Sequence, residues 1–386
     1  MPNHYQLSPF YRLSPKEIET TTLHNILSEE TYLINTIIHT FLSFFQEKAI
    51  TFMESIELFM EEFGGERETV TATVNPFFGD MFYQSILIRA ENYTHLSNFP
   101  VQKKKQELSI LKDFDLIKTL SEEYFLSIYV IQNKKTKAQS VLKILHLNAF
   151  YTPEEKKIYH RAFLQEIKIL EEVKQHPSII QLLCHSQNKE LLTLELEYVN
   201  GVGLRQFIYA NPSLTFAEKK KIFSNVINAY SHLHFLDVLH GDIHASNILI
   251  LENHDVKLID FDMSYHNGRR RGELISKGGV QAYIAPEKIS ENAFEIANKR
   301  ANFRSEVYQI GIIAYIIFMN DLPFEADSWK LLATKIKKEK PFFDSLNLPS
   351  NLISFLQRAL AKKPSNRFAS AVEMATVWEK KILDTF

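Results

Sequence analysis

A chain of 386 residues with 45% hydrophobic and 12% aromatic content is long for one domain and has ample apolar matter for two or three lobes. Its formal net charge of −2 supplies no global basic field, so no nucleic-acid partner is expected. The single cysteine, Cys184, excludes an internal disulfide and any zinc site built on several cysteines, and its place in the apolar run IIQLLC predicts a core position. No apolar run reaches the ~18 residues of a membrane span. The N-terminus, MPNHYQLSPFYRLSPKE, lacks the apolar stretch of a secretory signal. A cytoplasmic, reducing environment is therefore expected, and a non-Sec route of delivery would leave no mark here.

Residues 1–25 are polar, carry two Ser-Pro steps and read as irregular. Ser28-Glu29-Glu30-Thr31 is a helix-start signal. From there to Phe63 apolar residues recur at helical spacing: Leu33, Ile37, Phe41, Phe44 and Phe45, then Phe52, Ile56, Phe59 and Phe63. Gly64-Gly65 closes the pattern, which predicts one broken helix or a helical hairpin. The alternation in ETVTATV (68–74) and the apolar run MFYQSILIRA (81–90) predict strands. The aromatic stripe reads as core, or as a face that docks on the rest of the chain or on a partner. Lys103-Lys104-Lys105 reads as a solvated connector and places a domain boundary within 100–112.

Short strands follow in IKTL (117–120), FLSIYVIQ (125–132) and AQSVLKILHL (138–147), the last two joined by the polar turn Asn133 to Lys137. Lys143 lies inside an apolar strand, and Glu166 lies among Phe163, Ile167 and Leu170 of a helix from Pro153 to about Lys174. Each is costly to bury alone. An ion pair between them would hold the lysine ready for a phosphate; the other reading is two snorkelling side chains. HPSIIQLL (176–183) and LLTLELEYV (191–199) predict strands, then LRQFI and Ala217 to Phe235 predict helices.

Next comes HGDIHASNILI (240–250), where Asp242 and Asn247 sit five residues apart, and then a second acid, Asp260, in VKLIDFD. Two acids and an amide beside short apolar runs are the parts needed to hold a divalent metal and to accept a proton from a hydroxyl. On a loop beside short strands, the set suggests phosphoryl transfer from a metal-bound nucleotide.

From about residue 112 to 382 the order of these parts resembles the eukaryotic-type protein kinase family. SVLKIL resembles the strand carrying the family's nucleotide-binding lysine, Lys143, and Glu166 resembles its helical partner. HPSIIQLL is similar to the HPNIV segment, and Leu196-Glu197-Tyr198-Val199 to the gatekeeper and hinge. HLHFLDVLHGDIHASN is similar to the YLH…HRDLKxxN catalytic loop, and Asp260 stands where DFG has its aspartate. Ala285-Pro286-Glu287 matches APE, SEVYQIGIIAYIIFMNDLPF resembles the DVWSLG…G.PPF helix, and LAKKPSNRF supplies Arg367, where the family pairs an arginine with the APE glutamate. This ending also separates the chain from small-molecule kinases that share HGDxHxxN.

The resemblance implies an α+β, bilobal protein-kinase fold with an N-terminal α/β extension. It divides the chain into residues 1–110 (extension, helical then β, with a regulatory role), 112–200 (N-lobe) and 201–386 (C-lobe). It implies ATP and Mg²⁺ or Mn²⁺ as cofactors. Asp242 would be the catalytic base, and Asn247 and Asp260 the metal ligands. Lys143 would bind the α- and β-phosphates, held by Glu166. The backbone of Glu197 and Val199 would meet adenine, with Ile128, Val141 and Leu249 around its ring. Leu170, Leu183, His240 and Phe261 would stack as an internal column, giving His240 a packing role. The implied activity is transfer of the γ-phosphate to a protein Ser or Thr.

The chain departs from the pattern in several places. Ser121, Glu123 and Leu126 replace the glycines that let backbone N–H groups approach phosphates. Either another element takes over that task or the domain is a pseudokinase scaffold. Asp262 replaces the DFG glycine and predicts a stiffer activation segment. Gly241 replaces the HRD arginine, which in the family meets a phosphorylated residue of the activation segment, so less dependence on such phosphorylation is expected. His244 stands in place of the catalytic-loop lysine, where its protonated form would donate to the γ-phosphate. Val280 replaces a threonine, and Glu306 an aspartate that holds the loop backbone. Arg269-Arg270-Arg271 reads as a solvated tip or a docking point for an acidic substrate. Nucleotidyl transfer and phosphorylation of a lipid or small molecule stay open as other activities. The low-glycine, Lys- and Phe-rich composition fits a bacterial effector delivered into a host cell.

Overall fold

The computed structural model describes residues 4–8, 11–13, 21–25, 31–46, 48–83, 86–89, 93–123, 125–150, 153–174, 176–268, 281–289, 302–343 and 348–383. The chain divides into two compact units, Met1–Lys156 with Ser186–Thr193, and Lys157–His185 with Leu194–Phe386.

The first unit begins with β1 (His4–Leu7), β2 (Tyr11–Leu13), β3 (Thr21–Asn25), β4 (Thr31–Ile34), α1 (Thr36–Ser43), β5 (Ile50–Thr51), α2 (Phe52–Phe63), α3 (Arg67–Tyr83) and β6 (Leu87–Arg89). Two small sheets form, ordered β5-β1-β6 and β2-β3-β4. The strands within 1–25 correct the expectation of irregular chain. Tyr5 pairs with Ile50 and Leu7 with Leu87, so β1 owes its identity to partners remote in sequence. Thr31 opens a strand, not a helix; Ser28 to Glu30 lie outside the described residues.

The predicted helical stretch is two helices. Asn35 starts α1 by accepting from Ile38 N–H at 2.8 Å. Thr51 and Glu54 form a capping box on α2, and Gly64 ends it at φ 73°. The strand expected at 68–74 is helical. Its Thr/Val alternation hid a second periodicity, because Val70, Val74 and Phe78 recur every fourth residue and are the buried ones. They join Phe41, Phe45, Ile56 and Leu87 in one apolar core.

Helix α4 (Tyr93–Ile110) carries the lysine run. Lys103 is buried, against the expectation of a solvated connector, because its ammonium donates to the Glu123 carbonyl at 2.9 Å. Then come β7 (Phe114–Glu122), β8 (Leu126–Asn133) and β9 (Gln139–His146), consecutive and antiparallel. Register pairs Ile128 with Lys143 and Val130 with Val141, so Ile128, Val141 and Lys143 share one sheet face. The other face carries Tyr129, Ile131, Leu142 and Ile144, covered by Ile110, Leu111 and Phe114. Asn133 makes the predicted turn by accepting from the N–H groups of Lys135 and Thr136 at 2.9 and 3.0 Å.

Helix α5 (Pro153–Val173) carries Glu166, and β10 (Leu182–Gln187) and β11 (Leu191–Glu197) follow, the full sheet running β10-β11-β9-β8-β7. Strand β10 starts later than expected, since Ile179 bridges to Leu258 instead. Because β10 is an edge strand, Cys184 is exposed and Leu183 is 54% exposed, which corrects the core position of the one and the internal-column role of the other. Partial burial and the Glu195 carboxylate, which accepts from the thiol at 3.2 Å, push Cys184 up to about 11, which disfavours the thiolate.

The second unit is mainly helical. Its elements are β12 (Val202–Gly203), α6 (Leu204–Ala210), α7 (Phe216–Phe235), β13 (Val238–Leu239), β14 (Ile248–Ile250), β15 (Val256–Leu258), β16 (Tyr265–His266), α8 (Phe303–Met319), α9 (Trp329–Lys338), α10 (Ser350–Ala359) and α11 (Ala371–Trp378). Helix α8 is buried on nearly every side, as its all-round apolar sequence requires. Trp378 anchors α11 against Phe223 at 4.6 Å between ring centres, and its indole N–H donates to Ser224 Oγ at 2.8 Å. The composition of elements is α+β, and no helix among the described residues is long and apolar enough to cross a membrane.

Candidate active site

The loop from His240 to Asn247 is held from below by a buried polar chain. Glu306 on α8 is 0% exposed and accepts from Gly241 N–H at 2.7 Å. Its other oxygen lies 2.9 Å from His234 Nε2. Ala371 N–H donates to His234 Nδ1 at 2.9 Å, so the imidazole proton sits on Nε2 and points at Glu306. The longer acid thus performs the anchoring expected of the family's aspartate. His234 was not singled out from the sequence; two histidines within HLHF at the end of an amphipathic helix were the available signal.

His240 packs as expected. It is fully buried, its ring centre is 4.9 Å from that of Phe261, and its Nε2 donates to Ile259 O at 3.1 Å. Burial lowers its pKa, which keeps the ring neutral in this role. Leu170 and Phe261 are buried as well.

Strand register explains how Asn247 and Asp260 come together. Ile248 pairs with Leu258 in the β14–β15 hairpin, and Ile259 N–H donates to Asn247 O at 3.0 Å. The two ends of that hairpin therefore deliver Asn247 and Asp260 side by side. Asn247 Nδ2 donates to Asp242 O at 3.0 Å, which fixes the amide and makes its oxygen the atom that could meet a cation. Asp260 takes φ 63°, while Asp262 is absent from the residues with positive φ. The left-handed backbone thus falls on the first acid of DFD, and the missing glycine causes no strain at the third residue. His244 Nε2 lies 3.4 Å from Asp242 Oδ2.

Gly241 takes φ 84°, and a Cβ there would lie 2.1 Å from Met263 O. The activation segment therefore packs its backbone where any side chain would stand. Ser264 Oγ donates to His240 O at 2.9 Å, and β16 pairs with β13 through Val238–His266 and Leu239–Tyr265. Helix α5 joins the same segment: Gln165 Nε2 donates to Ser264 O at 3.2 Å, and Glu172 lies 3.1 Å from His266 Nε2. Val280 and Arg269 to Arg271 lie outside the described residues.

The Glu197 carboxylate accepts from Gln181 N–H at 2.8 Å and pairs with Lys257, while Gly201 N–H donates to Val199 O at 3.0 Å. Leu249, on β14, is half-buried in the second unit; Ile128 and Val141 are half-buried in the first. Lys143 is buried on β9 in the first unit, and Glu166 is buried on α5 in the second, so their pairing is a proposal.

Arg367 closes the lower part of this unit. All its N–H groups are used: Glu287 accepts two, at 2.9 and 2.7 Å, and the carbonyls of Ala361, Arg304 and Lys362 accept the others. Burial would raise the Glu287 carboxyl, but the hydrogen bonds and charge of Arg367 outweigh it and hold the group below its ordinary 4.5. A depressed folded-state pKa adds stability above 4.5 that is lost as pH falls through the folded value. Glu287→Gln should therefore flatten the acid limb of stability measured by urea unfolding. It should also cost about 3 kcal/mol near neutral pH, because Arg367 is left buried and uncompensated.

The oxygen donors of Asp260 and Asn247 suit magnesium or manganese, which complete their shells with phosphates and water. Among the described residues no group of three or more His, Cys, Asp or Glu could hold a metal on such ligands alone.

Comparison with known proteins agrees with this arrangement. The chain is 26% identical over 298 residues to CBL-interacting serine/threonine-protein kinase 12 of Arabidopsis thaliana, covering 76% of this chain and 58% of that protein. It is 25% identical over 262 residues to serine/threonine-protein kinase SIK1 of Rattus norvegicus, covering 67% and 31%. It is 25% identical over 284 residues to mitogen-activated protein kinase kinase 2 of Arabidopsis thaliana, covering 71% and 74%. The alignments thus span only 58% and 31% of the first two relatives. Residues 114–378 match the protein kinase domain, well over half of the chain, and the chain belongs to that family.

Proposed function

We propose that this chain is an ATP-dependent protein kinase that transfers the γ-phosphoryl group to a Ser or Thr hydroxyl of a protein. What supports the reading is that Glu306 anchors the loop carrying Asp242, that Asn247 bonds to Asp242 O, and that Asn247 also bonds to Ile259, the neighbour of Asp260, at the open end of the β14–β15 hairpin. Lys143, supported by Glu166, binds the α- and β-phosphates. The backbone of Glu197 and Val199 receives adenine, between Ile128, Val141 and Leu249. Asp242 orients the acceptor hydroxyl and takes its proton as the oxygen attacks the γ-phosphorus. The bond to the bridging oxygen breaks and ADP leaves. His244, beside Asp242, donates to the phosphate when protonated. Mg²⁺ or Mn²⁺ held by Asp260 and Asn247 supplies charge neutralisation at the phosphate oxygens. Catalysis is then mostly positioning and electrostatics.

The kinase works without activation-segment phosphorylation. Gly241 offers no guanidinium, and contacts from Gln165, Glu172 and Gly241 already fasten the start of that segment. The protein acts in a cytoplasm, its own or that of a host reached by a non-Sec route, and residues 1–110 regulate it or dock a partner. Intact-mass analysis after incubation with ATP and Mg²⁺ tests both ideas. Phosphatase-treated protein should gain phosphoryl groups at an initial rate within about twofold of untreated protein. A rate that recovers only after a lag would sink the independence, and no mass gain would favour the pseudokinase reading, which rests on Ser121, Glu123 and Leu126 in place of the three glycines.

A further inference from the structure

Helix α4 places a buried polar cluster on the sheet face opposite Ile128, Val141 and Lys143. Glu107 Oε1 accepts from Ser127 Oγ at 2.7 Å and lies 3.0 Å from His146 Nε2. The other ring nitrogen is 3.4 Å from Gln106 Oε1, and the Tyr129 hydroxyl faces the same carboxylate. One turn earlier on the helix, Lys103 is only 2% exposed. It donates to the Glu123 carbonyl at 2.9 Å and stands 3.5 Å from the Glu122 carboxylate. Burial would raise the Glu107 carboxyl, yet His146, Ser127 and Lys103 together hold it below its ordinary range. The carboxylate is therefore kept charged inside the cluster.

These contacts grip both limbs of one hairpin. Glu122 ends β7 and Ser127 is the second residue of β8, and between them Glu123 N–H donates to Leu126 O at 2.8 Å. The hairpin is where three glycines would otherwise let the backbone approach a triphosphate. Its carboxylates would repel that ligand, and Lys103 is the cation set against them. The polar contacts are on the rear of the sheet, on the face opposite Lys143.

We propose that α4 is a fixed brace for the nucleotide-binding hairpin, with Lys103 and Glu107 as positioning residues for ATP. The inference rests on the reading of the chain as an ATP-dependent kinase. It makes α4 part of the catalytic apparatus rather than a detachable connector.

The test uses the full chain as wild type, Lys103→Met, Glu107→Ala, Glu107→Gln and Ser127→Ala. Each is titrated with a fluorescent N-methylanthraniloyl ATP in the presence of Mg²⁺, then assayed for kcat and for KM of ATP, with circular dichroism as the check of folding. Lys103→Met and Glu107→Ala should raise Kd and the KM of ATP about tenfold or more, with kcat within about threefold. Glu107→Gln keeps an acceptor for Ser127 and should bind within about threefold of wild type. Should Lys103→Met or Glu107→Ala fail to fold, Ser127→Ala carries the test, with the same direction and a smaller rise in Kd. Unchanged Kd in the folded variants, beside a wild type that binds, overturns the brace alone. So does loss of kcat at unchanged KM, the mark of a merely structural role. A wild type that binds no nucleotide overturns the kinase reading and the brace with it.

Discussion

Asp260→Ala should lower phosphoryl transfer at least about 10³-fold while the far-UV circular dichroism stays that of the wild type. The asymmetry follows from where the residue stands. Asp260 lies just beyond β15, and the hairpin partner Asn247 is fixed by its own hydrogen bonds to Ile259 and Asp242. The Asp260 side chain supplies charge to the site, while the backbone around it supplies the fold. Its φ of 63° suits aspartate better than alanine, so the substitution adds about 1 kcal/mol of strain. That is small beside the loss of the charge that the proposed mechanism sets at the metal. Asp242→Ala should lose transfer to a similar degree but retain nucleotide binding, because the task proposed for it is at the acceptor hydroxyl. Label transfer and nucleotide titration, made on the same samples, separate the two roles.

Glu306→Ala should be the most damaging change away from the reacting groups. It removes the acceptor of Gly241 N–H and the partner of His234, both inside the protein. The buried His234 Nε2–H and the half-buried Gly241 N–H are left with no acceptor. Breaking one partner of a buried pair costs about 3–5 kcal/mol. For a unit of this size that corresponds to a fall in Tm of roughly 10 °C. The folded fraction should also show a lower kcat, since the backbone carrying Asp242 has lost its anchor at the neighbouring residue. Glu306→Asp keeps the charge on a shorter stem. It should restore part of both losses, because one carboxylate oxygen still reaches one of the two donors. Thermal melting followed by circular dichroism, with kcat taken well below the melt, reads the two effects separately.

The parts legible in the sequence were those whose chemistry is local. Asp242, Asn247 and Asp260 each stood next to an apolar run, and the runs became β14 and β15, which pair so that Asn247 stands opposite Ile259, the neighbour of Asp260. Arg367 and Glu287 were matched as a pair and form one. Strands 114–146 and helices α5 and α7 followed from periodicity and turn chemistry.

What could not be read depends on partners far along the chain. Nothing in the polar segment around Tyr5 announces that Ile50 and Arg89 will flank it. The lysine run looked solvated because its acceptor, the Glu123 carbonyl, comes 20 residues later. Cys184 and Leu183 sat in an apolar run, but their strand lies at the edge of its sheet, which only the strand order decides. The segment 68–74 satisfied two periods at once, and burial of Val70 and Val74 chose the helical one. Gly241 was read as a lost arginine. Its positive φ and the closeness of Met263 O add that the position has no room for a side chain.

A protein kinase must pass the γ-phosphate of ATP to a hydroxyl. Parallel incubations with ATP labelled at the γ- or the α-phosphate, followed by phosphoamino-acid analysis, decide directly whether this chain does so. Label from the γ position should appear on serine or threonine in the wild type, should be absent in Asp260→Ala, and none should transfer from the α position. Label retained from the α-phosphate would mean nucleotidyl transfer and would contradict the assignment, as would undiminished γ-transfer in Asp260→Ala.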